Sequence, residues 1–210
     1  MNQINLTSLA VRVLLDTPAP TPSDAAYLFA QTIDNTPSVM ATGLALLKSG
    51  ATKRLLISGC GELSGYPGAK AYAEDLARLD VLPEQILSVP PPDAEIMHTT
   101  NESQALLRFA EQKRFTRLHI VASPLHQLRA FISSVSAVLK AKAPIALYSI
   151  AGIPLPWLDV VLHSQGKTQG SREDLVSGEL ERIARYRAFG DLASDDEVWS
   201  YLGRRDRGEI

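Results

Sequence analysis

The chain has 210 residues, against roughly 150 for a typical domain, so one domain with appendages is expected. Its 45% hydrophobic and 21% charged content excludes a disordered tail, a collagen and a disulfide miniprotein. The 21 basic and 23 acidic residues leave a net charge of −2, which gives no global attraction for nucleic acid or anionic lipid. Cys60 is the single cysteine, so neither an intrachain disulfide nor a thiolate zinc cage can form.

Residues 6–15 have helical spacing, with Leu6, Leu9 and Val13 on one face and Thr7 and Ser8 as available caps. The prolines Pro18, Pro20 and Pro22 end that helix, so residues 1–23 read as a packed arm and linker. Strands are predicted at residues 25–29, 54–58, 85–89, 117–122 and 145–149. Helices are predicted between them at 39–48, 69–79, 101–113 and 127–140. Nearly continuous apolar strands that alternate with helices imply an α/β domain over residues 24–150. Its core would be an open, mainly parallel five-stranded sheet with helices on both faces.

Beyond Ser149 the alternation stops. Gly152, Pro154 and Pro156 mark a loop, and residues 171–189 and 195–202 read as two helices. Residues 151–210 are therefore a helical extension packed on the same domain. Arg182, Arg185 and Arg187 could form an anion patch, but Glu173, Asp174, Glu179 and Glu181 are interleaved with them, so the stretch reads as a solvated helix face. Residues 204–207 read as a frayed end. No apolar run approaches the roughly 20 residues that span a bilayer. The start of the chain has no basic region followed by an apolar one. The expectation is a cytoplasmic protein without a membrane span.

In an open parallel sheet, ligands bind outside the carboxyl ends of the strands. Four segments are predicted to arrive there. The first, residues 31–35, ends in Asn35 before a helix; the bland reading is a polar loop with a cap. The second is Ser58-Gly59-Cys60-Gly61. Its glycines would admit a ligand to the backbone or simply satisfy a tight turn, with Cys60 as a small filler. The third, residues 98–103, carries Thr100, Asn101 and Glu102 at a helix start, where capping chemistry alone accounts for them. The fourth, residues 123–129, places Ser123 before His126 and Arg129, which share a helical face. Those two residues could hold an anion, or could be a hydrogen-bonded histidine and a paired arginine. His119 lies inside a strand and reads as structural. The four histidines are too dispersed to form a metal site, and no metal is predicted.

Taken together, the strand ending Leu56-Ile57-Ser58-Gly59-Cys60-Gly61, then Thr100-Asn101-Glu102-Ser103, then Ser123-Pro124-Leu125-His126-Gln127-Leu128-Arg129-Ala130, resemble the bacterial YdcF/SanA/ElyC family of domains of unknown function. Its motifs are an S-G-G turn, a T-x-x-E-N-A segment and an H-x-x-R-A segment. The stretch from Arg172 through Gly178, Glu179 and Arg182 to Tyr186 is similar to the YdcF branch. Lys70 stands before Ala71 where the family often has an acidic residue. The resemblance implies a Rossmann-like fold and a nucleotide-like ligand, with S-adenosylmethionine as the candidate.

On that reading Gly59 and Gly61 admit the ligand. Thr100, Asn101 and Glu102 bind a ribose or an amino-acid end, and His126 and Arg129 bind an anionic group. Asn35, Ser58 and Ser123 complete the candidate set. An alternative is a phosphate-ester hydrolase or transferase with His126 as acid–base and Arg129 as charge stabiliser; Glu102 is the other catalytic candidate. A metal-dependent version would need Asp34, Glu62 or Glu102 as oxygen ligands. A third reading is a non-catalytic cell-envelope or stress factor that acts through partners. The sharpest expectation is convergence: Gly59, Thr100, Glu102, His126 and Arg129 should line one cleft, with His126 partly exposed.

Overall fold

A computed structural model of the protein describes residues 4–92, 98–163 and 168–210. Five strands, β1 (Ala25–Leu28), β2 (Leu55–Ser58), β3 (Ile86–Val89), β4 (Arg117–Ala122) and β5 (Ala146–Ala151), form one sheet in the order β3-β2-β1-β4-β5. Every pairing is parallel; Tyr27 lies beside Leu56 on one side and Ile120 on the other. β1 and β2 are buried at every position, which is why their sequences are continuously apolar rather than alternating.

The helices are α1 (Leu6–Leu14), α2 (Thr36–Lys48), α3 (Ala69–Arg78), α4 (Thr99–Lys113), α5 (Pro124–Ala141), α6 (Arg172–Ala188) and α7 (Asp195–Asp206). Right-handed crossovers put α2 and α3 on one face of the sheet, because the chain first runs outward from β1 to β3. It then returns past β1 to β4, so α4 and α5 cover the opposite face. The core divides accordingly. Leu28, Leu55, Ile57 and Val121 pack with α2 and α3, while Tyr27, Phe29, Leu56 and Ile120 pack with α4 and α5. The strand order reverses between β1 and β4, the place where such sheets open a crevice.

Several boundaries differ from the sequence expectation for local reasons. α5 begins at Pro124 rather than residue 127, since a proline at the first helical position loses no hydrogen bond. Asn5 caps α1, its Oδ1 accepting from Ser8 N at 2.9 Å, so Thr7 and Ser8 lie inside the helix. α4 starts at Thr99, with Asn101 Oδ1 accepting from His98 N at 2.8 Å; neither Thr99 nor Thr100 is the cap.

The segment expected to be a loop contains an antiparallel hairpin, β6 (Val160–His163) and β7 (Thr168–Ser171). It is fastened to the chain just after β1: Thr32 Oγ1 donates to Leu162 O at 2.8 Å, and Leu162 N donates to Asp34 Oδ2 at 2.9 Å. Arg172, buried at the start of α6, donates to Asn35 Oδ1, Asp34 O and Pro156 O. The hairpin and α6 thus sit across the reversal point of the sheet.

The ends of the chain close the β5 edge. Tyr201 Oη donates to Ile145 O and accepts from Leu147 N, both at 2.8 Å. Asp16 Oδ2 accepts from Ser149 N at 2.9 Å, and Arg205 Nη1 donates to Leu147 O at 2.7 Å while pairing with Asp16. The expected frayed end is therefore not frayed: the side chain of Arg205 is wholly buried, stacked over Tyr148. Leu9 and Val13 of α1 share the larger core cluster with Val198, Tyr201 and Leu202 of α7. Among the described residues, no helix is long and apolar enough to cross a membrane.

Candidate functional site

At the reversal point a cavity of about 340 Å³ opens between the exits of β1 and β4. Its floor is the chain after β1, from Ala30 to Thr32. Thr99 and Glu102 reach it from the first turn of α4, and His126 and Arg129 from the first turns of α5. α6 closes the far side with Arg182, Arg185 and Tyr186, and His163 enters from β6.

His126 is held from both sides. Gln31 Nε2 lies 3.1–3.2 Å from the carbonyls of Phe29 and Ala30, which fixes the orientation of its amide. The same nitrogen is 3.2 Å from His126 Nδ1, so Nδ1 accepts. The hydrogen-bond network thereby assigns the ring proton to Nε2, which donates to Thr99 Oγ1 at 3.2 Å. Burial, reinforced by the charge of Arg129, pushes His126 down to about 3, so the ring is neutral at physiological pH. Thr99 Oγ1 also accepts from Arg129 Nη1. Both of its acceptor positions are used, and its own proton is left for another acceptor.

Arg129 is bound in a fork by Glu179, with Nε at 2.6 Å from Oε2 and Nη2 at 3.0 Å from Oε1. Glu179 also accepts from His163 Nε2 at 2.8 Å and Arg182 Nη1 at 2.9 Å. Burial raises its pKa, but the Arg129 charge and the His163 hydrogen bond outweigh this and hold Glu179 well below the usual carboxylate range. Arg185, exposed at the rim, stacks 5.1 Å from the Tyr186 ring centre and has no carboxylate partner among the described residues. The three arginines at the cavity thus outnumber the carboxylates Glu179 and Glu102.

Glu102 is 4% exposed. Its Oε1 accepts from Tyr27 Oη and Ala30 N, both at 2.8 Å, and its Oε2 has no hydrogen-bond partner among the described residues. Burial raises its pKa, the two hydrogen bonds and Arg129 lower it, and the balance stands at about 7.

Of the five residues expected to converge, Glu102, His126 and Arg129 line this cavity. Gly59 and Thr100 do not. Gly59 continues the β2–β3 ladder, donating to Val89 O at 2.7 Å, and its bare α-carbon is required by that carbonyl. Thr100, one residue round the helix from Thr99, is not among the residues lining the cavity. Asn101 is occupied by its cap to His98 N. Asn35 is buried as the acceptor of Arg172 Nε, and Ser58 lies buried under the Tyr66 hydroxyl, which donates to Ser58 O. Gly61 has open space around it, and Ser123 Oγ is buried without a partner among the described residues. His126 is buried rather than partly exposed, because Thr99 and Gln31 occupy both ring nitrogens.

The residues missed by sequence reading are Gln31, Thr99, His163, Glu179, Arg182 and Arg185. Arg182 and Glu179 are not on a solvated face, since Glu179 is buried and receives three cationic or imidazole donors. The signal was present in part: β6 alternates buried and exposed residues and delivers His163 inward. His119 is structural, with Nδ1 2.8 Å from Ser23 Oγ inside β4. Cys60 is buried in the core beside α2 and α3. No group of three His, Cys, Asp or Glu side chains among the described residues is placed to hold a metal ion. No family model matches the chain, and no curated protein matches it.

Proposed function

We propose that the chain binds a small oxyanion-bearing metabolite, nucleotide-like in size, in the crevice between β1 and β4. The observation that carries this reading is the surplus of arginine at a concave site where the strand order reverses. A volume of about 340 Å³ suits a small ligand rather than a polymer. Arg185 and the Thr99 hydroxyl proton are among the cavity's donors that have no acceptor among the described residues.

S-adenosylmethionine, the ligand the family resemblance suggests, suits this site through its carboxylate. Its sulfonium would have to rest against Glu102, the one carboxylate among the lining residues. Nucleoside phosphates fit the charge balance better. The hydrolase reading with His126 as base is less favoured: the ring is neutral and presents Nε2–H toward Thr99 rather than a lone pair.

The test is a thermal-shift and calorimetric panel of S-adenosylmethionine, AMP, ATP, inorganic phosphate and sulfate. A ligand at a hundredfold excess over its Kd should stabilise the protein by about 2.7 kcal/mol. Arg185→Gln should weaken the response about tenfold or more, since a charge-assisted hydrogen bond is worth roughly 1.5–3 kcal/mol. No response to any member at millimolar concentration, or responses indifferent to Arg185, would remove the reading.

A further inference from the structure

Glu102 is placed unlike the other carboxylate of the site. Glu179 is surrounded by donors that hold it ionised. Glu102 has two neutral donors on one oxygen and, among the described residues, none on the other. The residue is 4% exposed and lines the cavity, so its unpartnered acceptor is left to the space a ligand would fill. An ionised carboxylate there would repel an incoming oxyanion across a desolvated gap. A neutral carboxylic acid would instead give Oε2–H to it, because Oε1 is already committed to accepting.

We propose that an oxyanion enters this cavity together with one proton, carried on Glu102 Oε2 and donated in a hydrogen bond to the anion. This rests on the cavity being an anion site, as argued above. The ligand is thus a fully ionised phosphate or sulfate group, an acceptor without a proton of its own, held between the Thr99 hydroxyl, Arg185 and the Glu102 acid. No bond of the ligand is broken: Oε2–H forms as an O–H of the solvent acid breaks, and the proton returns to solvent on release.

The surroundings favour this uptake. Tyr27 from β1, Tyr66 from the segment after β2 and Tyr72 from α3 interact with Glu102, and burial keeps all three phenols neutral at physiological pH, so they do not offset its charge. Across the cavity stand His126 and Arg129 from α5, Arg182 and Arg185 from α6, His163 from β6, and His98 at the start of α4. Of the arginines among them, Arg129 is the one that acts on Glu102, and its charge is largely spent on Glu179. Free Glu102 loses its proton at about 7, and a bound anion raises that value further.

Sulfate is the probe, because it does not titrate near neutrality. Calorimetry on the full chain at pH 6, 7, 8 and 9 should show affinity level at low pH and falling about tenfold per unit above neutrality, as one linked proton requires. Repeating the pH 8 titration in buffers of low and high ionisation enthalpy should show uptake close to one proton, a measurement that needs no variant. Glu102→Gln keeps an acceptor for Tyr27 and Ala30 and offers an amide N–H to the anion; it should bind sulfate with no such pH dependence. A pH dependence that survives in Glu102→Gln but disappears in His98→Gln would overturn the proposal, as would wild-type binding without proton uptake. Absence of any Arg185-sensitive sulfate binding at every pH is a different failure: it removes the anion site itself, and this inference with it.

Discussion

Glu102 and the buried histidines His119 and His126 give the protein opposed dependences on pH. A carboxyl raised from 4.5 to about 7 on folding stabilises the fold fully below its unfolded value and loses that contribution as pH rises through the folded one. At about 1.4 kcal/mol per pH unit the loss is on the order of 3 kcal/mol for this buried group. His119 and His126 are pushed down from 6.5 to about 4 and about 3, primarily by burial, so their contribution is present above 6.5 and lost as pH falls. Above pH 7 these three groups add no further change, so stability should climb from acid and level off near pH 6.5–7. Denaturant melts of Glu102→Gln should climb more steeply between pH 4.5 and 7, because the wild-type carboxyl offsets part of the histidine gain there. An unchanged slope in that window would mean Glu102 is not the offsetting group. The glycines after β2 separate as cleanly. A Cβ on Gly59 would come within 2.6 Å of Val89 O, while one on Gly61 meets nothing within 4 Å. Gly59→Ala should cost about 1–3 kcal/mol through overpacking, and Gly61→Ala less than about 1 kcal/mol. Equal losses in chemical denaturation would contradict this.

Among the elements, α6 couples the site to the hairpin. Glu179 binds Arg129 on α5, His163 on β6 and Arg182 on its own helix. Glu179→Gln leaves Arg129 buried without its counter-charge, a loss of about 3–5 kcal/mol for a broken buried pair. It should also blunt the thermal response to ligand, whereas Glu181→Gln, on the exposed side, should do neither. The same helix shows where sequence reading stops. The strands and helices of the sheet were legible because their apolar runs are continuous and their breaks carry glycine and proline. The site was legible where one segment supplied both the turn and the chemistry, as with His126 and Arg129. It was not legible where a charged residue is buried by a partner remote in sequence. Glu179 and Arg129 are 50 residues apart, and each alone looks like a surface charge. β7, with the sequence Thr168-Gln169-Gly170-Ser171, has little strand propensity and exists because β6 pairs with it.

At the scale of the whole molecule, side chains from both ends of the chain satisfy the backbone of β5 on its outer side. An uncovered edge strand is a template for pairing with another chain. Here Tyr201, Asp16 and Arg205 take up the N–H and C=O groups that would serve as that template. Tyr201→Phe leaves Leu147 N and Ile145 O buried without their partner. The expected cost is about 2–4 kcal/mol for two unsatisfied groups. Size-exclusion chromatography of this variant should show concentration-dependent self-association beyond that of the wild type; a variant that stays like the wild type would mean water replaces the hydroxyl at no cost.

The Asp16–Arg205 pair joins positions 189 residues apart. Closing so long a loop is entropically unfavourable until the sheet between them already holds the chain in place. The rim of β5 is thus a latch fastened after the barrier has been crossed. In a chevron experiment, Tyr201→Phe should leave the refolding arm nearly superimposed on that of the wild type and displace the unfolding arm upward. The contacts at this rim would then govern how long the native state lasts rather than how fast it is reached.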